Sequence, residues 1–152
     1  MAIDEKDRQI LRALERDAKL SSQKIADLTG IPITTVHYRV KNLRKTGVIK
    51  GQTIKIDYEK IDRGMLIYVT VFLNIERMRE KNIIQKDIEK ELLKIENIEK
   101  CDHIMSTGSF MLQVRVKDQK EYRIVLQRKI HAVDGIRDTQ SVITLLESER
   151  TQ

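Results

Sequence analysis

The stretch that decides the fold spans residues 22–43 and reads SQKIADLTGIPITTVHYRVKNL. It predicts two short helices joined by a tight turn at Gly30, because glycine tolerates the positive φ that such a turn needs. Ala26 supplies a small residue where the helices cross. An apolar row at helical spacing predicts that the second helix packs on the first: Val36, Val40 and Leu43. The pattern is typical of a helix-turn-helix.

The opposite side of the second helix carries hydroxyl, aromatic and cationic side chains. These types suit base edges, thymine methyl groups and phosphates, although a solvated basic face has the same composition. Arg39 lies nearer the buried side, where a phosphate contact and an internal ion pair are both open. We predict these DNA-binding residues: Ser22, Lys24, Thr34, Thr35, His37, Tyr38, Arg39, Lys41 and Lys45.

The positive charge is concentrated around this stretch. The chain of 152 residues has a formal net charge of +6. Residues 1–60 carry 13 Lys and Arg against 8 Asp and Glu, whereas residues 61–152 carry 16 against 15. A basic patch on the motif is the electrostatic footprint of a protein that binds the phosphate backbone of DNA.

Composition excludes several other classes of protein. No apolar run approaches the roughly 20 residues of a membrane span, and the N-terminus lacks the apolar core of a signal peptide, so we expect a cytoplasmic protein without membrane contact.

The single cysteine, Cys101, is expected to be a buried structural thiol. The sequence has no glycine-rich phosphate loop, nucleophile motif or metal-ligand spacing, so we expect neither an enzyme nor a cofactor. His103 and His131 have no carboxylate pattern that would make them metal ligands.

The N-terminal part is predicted to be a winged helix-turn-helix domain over residues 1–57. A first helix is expected from Asp4 to Asp17, with Asp4 as N-cap and Asp7 as a polar exception in its apolar row. Ser21 or Ser22 caps the second helix. The third begins at Pro32 or Ile33 and ends near Gly47, a left-handed C-cap. Residues 48–57 alternate apolar and polar side chains, which predicts a short β-ribbon as the wing.

Residues 58–64 are the predicted linker, and residues 65–152 form a second domain. Here the pattern predicts the order β-α-β-β-α-β, a ferredoxin-like α+β sandwich with its helices on one face of an antiparallel sheet. A hairpin turn is expected at residues 107–109. The predicted elements are strand 65–73, helix 81–94, strand 98–106, strand 110–116, helix 121–132 and strand 139–146.

The face of this sheet that its own helices do not cover is expected to be an interface. Residues 67–73 and 142–146 place apolar side chains on both faces of the sheet, so a second copy is needed to cover the bare face. We therefore predict a homodimer through this domain. Two copies of the helix-turn-helix can then read two half-sites one helical turn, or a multiple of it, apart on double-stranded DNA.

The chain resembles the Lrp/AsnC family of transcription regulators over nearly its whole length. The residues that carry the resemblance are 7–11 (DRQIL), Ile25, Ala26, Gly30, Val36, Arg39, Val40, Leu43, 47–49 (GVI), Thr107, Gly108, Gly135 and Ile136. The resemblance implies sequence-specific binding at promoters or operators and dimers that assemble into tetramers or octamers. It also implies a small-molecule effector, often an amino acid, near the glycine of the central hairpin.

Carried over onto this chain, the effector region comprises Thr107, Gly108, Ser109, Phe110, Met111, Asp138 and Thr139. The family hairpin commonly reads Gly-Asp-Tyr-Asp, whereas this chain has Gly-Ser-Phe-Met from Gly108. The carboxylates that would hold an ammonium group are missing, so an amino acid, a different ligand and no ligand all stay open. A non-specific, chromatin-like DNA-binding protein is the alternative to a sequence-specific regulator.

Overall fold

Three helices form the N-terminal unit of the computed structural model, which describes residues 3–105 and 109–145. They are α1 (Glu5–Arg16), α2 (Ser22–Thr29) and α3 (Ile33–Lys45). The described residues divide into two compact units between Lys55 and Ile56. The predicted domain boundary at residue 57 lies two residues beyond this division.

The core of the first unit lies where the apolar periodicity placed it. Gly30 ends α2 with φ +69°, and its N–H donates to the Ala26 carbonyl at 2.8 Å. Gly47 follows α3 with φ +74°, as a left-handed C-cap requires. Val40 is only half-buried. The fully or nearly buried apolar side chains are Ile10, Ala13, Ile25, Ile31, Val36 and Leu43.

One ion-pair cluster ties α3 to the start of α1. Arg39 Nη1 lies 2.7 Å from both carboxylate oxygens of Asp4 and 2.8 Å from Asp7 Oδ1. Asp7 is 1% exposed, so its charge is removed from water and depends on this guanidinium. The same two carboxylates cap α1, because Asp4 accepts from the Asp7 N–H and Asp7 from the Asp4 N–H. The polar exception in the apolar row of α1 is therefore a buried anchor for α3.

The predicted β-ribbon at residues 48–57 is wrong for this chain, because no strand forms between residues 46 and 57. Ile49 donates its N–H to the Leu43 carbonyl, and the Gln52 side chain donates to the Ala18 carbonyl at 2.7 Å. An alternating segment becomes a ribbon only when a second strand pairs with it. No described residue supplies such a ladder to this segment.

The predicted linker packs on the second unit. Its middle is a short 3₁₀ turn, Glu59–Ile61. The guanidinium of Arg115 lies 3.8 Å from the centre of the Tyr58 ring, within range of a cation–π interaction. Arg63 donates to the Glu96 carbonyl at 3.1 Å. These contacts hold this part of residues 58–64 against the domain that follows it.

The second unit contains a four-stranded antiparallel sheet with spatial order β2-β3-β1-β4. Its elements are β1 (Met65–Leu73), α4 (Ile75–Glu80), α5 (Gln85–Leu93), β2 (Ile98–Ile104), β3 (Ser109–Val116), α6 (Gln119–Ile124), a π-helical turn (Val125–Ile130) that continues α6, and β4 (Ile136–Ile143). This is the predicted ferredoxin-like order. The hairpin turn predicted at residues 107–109 falls on residues 107 and 108, which lie outside the described part of the chain, and on Ser109, which begins β3.

Several predicted element bounds in this unit need correction. The helix predicted at 81–94 is α5, which begins at Gln85 and ends at Leu93. An additional helix, α4, precedes it with Asn74 as its cap, and Asn82 between the two takes a positive φ of 53°. The helix predicted at 121–132 begins at Gln119, because Asp118 caps it, and it ends in the π-helical turn. The last strand begins at Ile136 rather than Thr139, directly after Gly135 with φ +95°. The strand predicted at 98–106 ends at Ile104.

The helices cover one face of the sheet. Alternate residues of β1 and β3, such as Ile67 and Leu112, point into a core that α4, α5 and α6 close with Met78, Ile88 and Tyr122. The register places these side chains on the other face: Tyr68, Thr70, Phe72, Met111, Gln113, Gln140 and Val142. No described helix covers that second face.

The Asp7–Arg39 pair predicts a stability effect that exposed carboxylates of α1 do not share. Asp7→Asn removes the buried charge while keeping an oxygen for the helix cap. We expect a loss of about 1–3 kcal/mol in the free energy of unfolding, because the hydrogen bond to Arg39 loses its ionic character. Urea denaturation measures this loss.

Glu15→Gln is the matched control, because Glu15 is an exposed carboxylate on the same helix. We expect it to change the unfolding free energy by less than about 0.5 kcal/mol. Equal effects of the two variants would contradict the anchoring role of Asp7.

Candidate nucleic-acid interface

Helix α3 has two chemically different sides. Val36 and Leu43 are buried, whereas the side chains of Thr34, His37 and Tyr38 are exposed. The exposed set extends to the C-terminal end of the helix with three cations: Lys41, Arg44 and Lys45. The predicted outward face is therefore present, and Arg44 adds a cation to it that the predicted site omitted.

Tyr38 is the most prominent apolar group on this face, with 70% of its surface exposed. An aromatic side chain in the middle of a helix gains nothing by facing water, since it forgoes the burial that favours large rings. Its ring and hydroxyl can contact a thymine methyl group and a base-edge acceptor. The neighbouring His37 is also exposed and offers ring nitrogens on the flank of the same face.

The N-terminus of α2 presents the other predicted contacts. Ser21, rather than Ser22, is the N-cap, and its hydroxyl accepts from the Lys24 N–H at 3.3 Å. Ser22 is half-buried in the first turn, and the Lys24 side chain is exposed. A helix N-terminus with a cation beside it favours a phosphate group.

The first turn of α3 starts without a side-chain cap. Pro32 is the N-cap residue, and no side chain accepts a hydrogen bond there. The Val36 N–H donates to the Pro32 carbonyl at 3.0 Å as the first helical bond. Because no side-chain hydrogen bond caps α3, neither Thr34, which is exposed, nor Thr35, which is half-buried, takes over the cap. Both belong to the surface beside the start of the helix.

Arg39 is drawn inward by the two carboxylates rather than directed to solvent. Its side chain is 22% exposed, whereas that of its partner Asp4 is 51% exposed. The hydrogen bonds that Arg39 donates to Asp7 and Asp4 raise the pKa of its guanidinium above the usual value. Of the two alternatives that the sequence left open, the structure contains the internal ion pair.

A cleft of about 450 Å³ lies at the junction of α1 and α3. Residues on both helices line it: Asp4, Asp7, Thr34, Thr35, Tyr38, Arg39 and Asn42. Four of the predicted DNA contacts, Thr34, Thr35, Tyr38 and Arg39, therefore share a surface with the carboxylate of Asp4. One signal of this arrangement was visible before the structure: Asp7, the polar residue in the apolar row of α1.

The two predicted effector segments lie on either side of β1 at one end of the sheet. Phe72 of β1 pairs with Ser109 on one side and with Asp138 on the other. Met111 is half-buried on the uncovered face. Thr107 and Gly108 lie outside the described residues.

Two residues of the predicted effector region are committed to internal contacts. Phe110 is fully buried on the helix side of the sheet, and the centre of its ring lies 4.6 Å from that of His103, edge-on. The prediction that Phe110 is a surface contact is therefore wrong. Thr139 Oγ1 lies 2.9 Å from His131 Nε2. Met111 and Asp138 are the described side chains of the set that stay at or near the uncovered face.

Other candidate chemistry is absent from the described residues. None of their His, Cys, Asp and Glu side chains forms a cluster of three that could hold a metal ion. Burial, with the carboxylates of Glu89 and Asp102, raises the pKa of the Cys101 thiol to about 11, so it stays protonated near neutral pH. His103 Nε2 lies 3.1 Å from Glu89 Oε2. No helix in residues 3–105 or 109–145 is long and apolar enough to cross a bilayer.

Two family models match the chain, one over each unit. A winged helix-turn-helix DNA-binding model matches residues 3–50, and the Lrp/AsnC ligand binding domain matches residues 70–152. The first contains the cleft and the outward face of α3. The second contains most of the sheet and its helices.

Curated relatives agree with these matches over nearly the full chain. The leucine-responsive regulatory protein of Haemophilus influenzae is 29% identical over 150 residues, covering 99% of this chain and 88% of that protein. An uncharacterized HTH-type transcriptional regulator of Pyrococcus furiosus is 26% identical over 144 residues, covering 95% of this chain and 93% of that protein.

Solved structures share the fold. Escherichia coli AsnC superposes with a TM-score of 0.83 at 21% identity, covering 100% of this chain and 98% of that one. A Neisseria meningitidis transcriptional regulator in complex with L-Met gives 0.85 at 17% identity, covering 99% and 94%. With its helix-turn-helix and its ligand-binding domain both matched, the chain belongs to the Lrp/AsnC family of transcription regulators, which are DNA-binding proteins rather than enzymes.

Proposed function

We propose that this regulator reads double-stranded DNA with the outward face of α3, as a homodimer that binds two half-sites. Thr34, Thr35, His37 and Tyr38 read base edges in the major groove. Lys41, Lys45 and the start of α2, with Ser22 and Lys24, contact phosphates. The observation that carries this proposal is the exposed aromatic and cationic face of α3 opposite its buried row.

The distribution of groups along α3 supports this assignment. In a helix-turn-helix, the N-terminal part of the recognition helix contacts base edges and the backbone lies beside its ends. Neutral donors and acceptors occupy the first half of α3, and the three exposed cations occupy its last five residues. Phosphate contacts supply affinity without sequence preference, whereas the groups over the bases supply specificity. Arg39 serves the fold through its ion pair.

The uncovered face of the sheet supports dimerisation through the second domain. Tyr68, Phe72 and Met111 are half-buried there, and Val142 of β4 is 61% exposed. The apolar side chains on this mixed face gain hydrophobic free energy when a second copy of the sheet covers them. We also propose that the dimers assemble into a tetramer or octamer, as the resemblance to the family implies.

A small-molecule effector is the third part of the proposal. It rests on the match to the Lrp/AsnC ligand binding domain and on the fold shared with the regulator solved in complex with L-Met. The described surface residues available at the predicted position are Met111 and Asp138. We place the protein in the cytoplasm, because a regulator of this kind must reach chromosomal DNA.

Replacing a phosphate contact should weaken binding to every duplex equally. For Lys41→Ala we expect the slope of log K against log salt concentration to become shallower by about 1, because one fewer counterion is released on binding. Fluorescence anisotropy between about 50 and 300 mM salt measures the slope. Lys90→Ala, which removes an exposed lysine from α5, is the control and should leave the slope unchanged. An unchanged slope for Lys41→Ala would contradict its role.

Replacing Tyr38 should change which sequences are preferred. Tyr38→Ala is expected to lose about 1–2 kcal/mol of discrimination at one base pair, because the apolar contact with a base disappears. Binding to a set of single-base operator variants measures this loss. Tyr38→Phe keeps the ring and should retain most of the preference. If Tyr38→Ala weakens all variants to the same extent, Tyr38 does not read bases.

Charging the bare face of the sheet should separate the subunits. Tyr68→Lys places an ammonium group at the centre of that face, and we expect monomers because an unpaired charge would be buried in the interface. Ile124→Lys, a similar change on the exposed side of the helical layer, should leave the dimer intact. Sedimentation velocity measures both, with circular dichroism as a check of folding. A dimeric Tyr68→Lys protein would contradict the interface.

A further inference from the structure

Asp4 lies before the helix-turn-helix in the sequence but shares a surface with its recognition helix. The cleft between α1 and α3 brings its carboxylate together with Thr34, Thr35 and Tyr38. About half of the Asp4 side chain is exposed, whereas Asp7 behind it is fully enclosed. Asp4 is therefore the acidic group of the cleft that an approaching duplex meets.

The position of this carboxylate is fixed from two directions. The Asp7 N–H donates to Asp4 Oδ1 at 2.9 Å, and Arg39 Nη1 lies 2.7 Å from each carboxylate oxygen. These hydrogen bonds hold the pKa of Asp4 below its usual value. Asp4 is thus a preorganised, ionised acceptor beside the start of α3.

The cleft has the opposite charge to the rest of the DNA-binding surface. It contains two carboxylates and one guanidinium, whereas the exposed cations of α3 lie in the last turns of the helix. A net negative cleft repels a phosphate group. The part of a duplex that can occupy this space with favourable electrostatics is a hydrogen-bond donor on a base edge.

We infer that Asp4 is a specificity-determining residue of the DNA-binding surface, because its carboxylate rejects phosphate and selects an exocyclic amino group. In the major groove, cytosine N4 and adenine N6 carry such groups, whereas guanine O6 and thymine O4 are acceptors. An ionised carboxylate only accepts hydrogen bonds, so it pairs with the first two and is repelled by the others. Arg39 is the positioning residue that holds it there.

The inference rests on the proposed role of α3 and has a close isosteric test. Asp4→Asn keeps the side-chain shape, the helix cap and an oxygen for Arg39, because asparagine caps helices as well as aspartate does. Its amide both donates and accepts, so it no longer distinguishes amino groups from carbonyl oxygens. Glu15→Gln makes the same change of charge on the solvent side of the same helix, outside the cleft.

The experiment selects binding sites from a random duplex library with the full-length wild type, Asp4→Asn and Glu15→Gln. For the wild type we expect one position that requires cytosine or adenine on one strand. In Asp4→Asn this preference should fall about 10-fold, and affinity for unrelated duplexes should rise a few fold. Glu15→Gln should keep the wild-type preference. Asp4→Ser, a neutral cap without the amide, replaces Asp4→Asn if circular dichroism shows that the latter is unfolded.

Three results would overturn the inference. One is a motif for Asp4→Asn that matches the wild type at every position. Another is the same loss of base preference in Glu15→Gln, because net charge alone would then explain the effect of Asp4→Asn. The third is the absence of any motif for the wild type, and in that case the proposed function fails as well. If the motif depends on Tyr38 and survives Asp4→Asn, only the role of Asp4 is lost.

Discussion

The orientation of α3 is the constraint on which the rest of this regulator depends. Two buried side chains, Val36 and Leu43, decide which side of the helix faces the core. The guanidinium of Arg39, held by Asp4 and Asp7, connects the same helix to α1. Because breaking a buried ion pair costs several kcal/mol, the helix cannot turn without losing that pair. The side chains left outside are therefore held on one surface in one arrangement.

Much of this arrangement could be predicted from the sequence. The period of the apolar residues located α1, α2 and α3, and the change to a strand period at residue 65 located the second domain. Gly30 and Gly47 marked the turns, because both need a positive φ. These features depend on local spacing and backbone conformation, which sequence patterns report directly.

The features that were missed depend on partners distant in the chain. Residues 48–57 alternate like a strand, but a ribbon needs a second strand that the pattern cannot supply. Asn74 caps a helix that the apolar pattern did not indicate, and the cap at Asp118 moves the start of α6 to Gln119. Asp7 stood out as a polar residue in an apolar row, and only the packing of α3 showed that Arg39 is its partner. In the candidate effector region, Phe110 belongs to the core, because alternate residues of β3 face the helices. The sequence of the hairpin could not show which residues of β3 face that side.

The two units of the chain carry different candidate sites. The first carries the cationic and aromatic face and the acidic cleft beside it. The second is matched by a ligand-binding domain, and its sheet leaves one face uncovered by its own helices. In the proposed function, affinity for DNA depends on lysines at the end of α3, and sequence preference depends on Tyr38 and its neighbours. Pairing through the sheet would set the spacing of the half-sites.

The most direct test of the central claim is an amide chemical-shift map of the protein with a duplex operator obtained by selection. We expect the largest changes on residues 34–45 of α3, on the first turn of α2 and on Asp4. The opposite result is a map whose changes fall mainly on the buried side of α3, or on the second unit with α3 unaffected. That result would show that the outward face of α3 does not enter the groove.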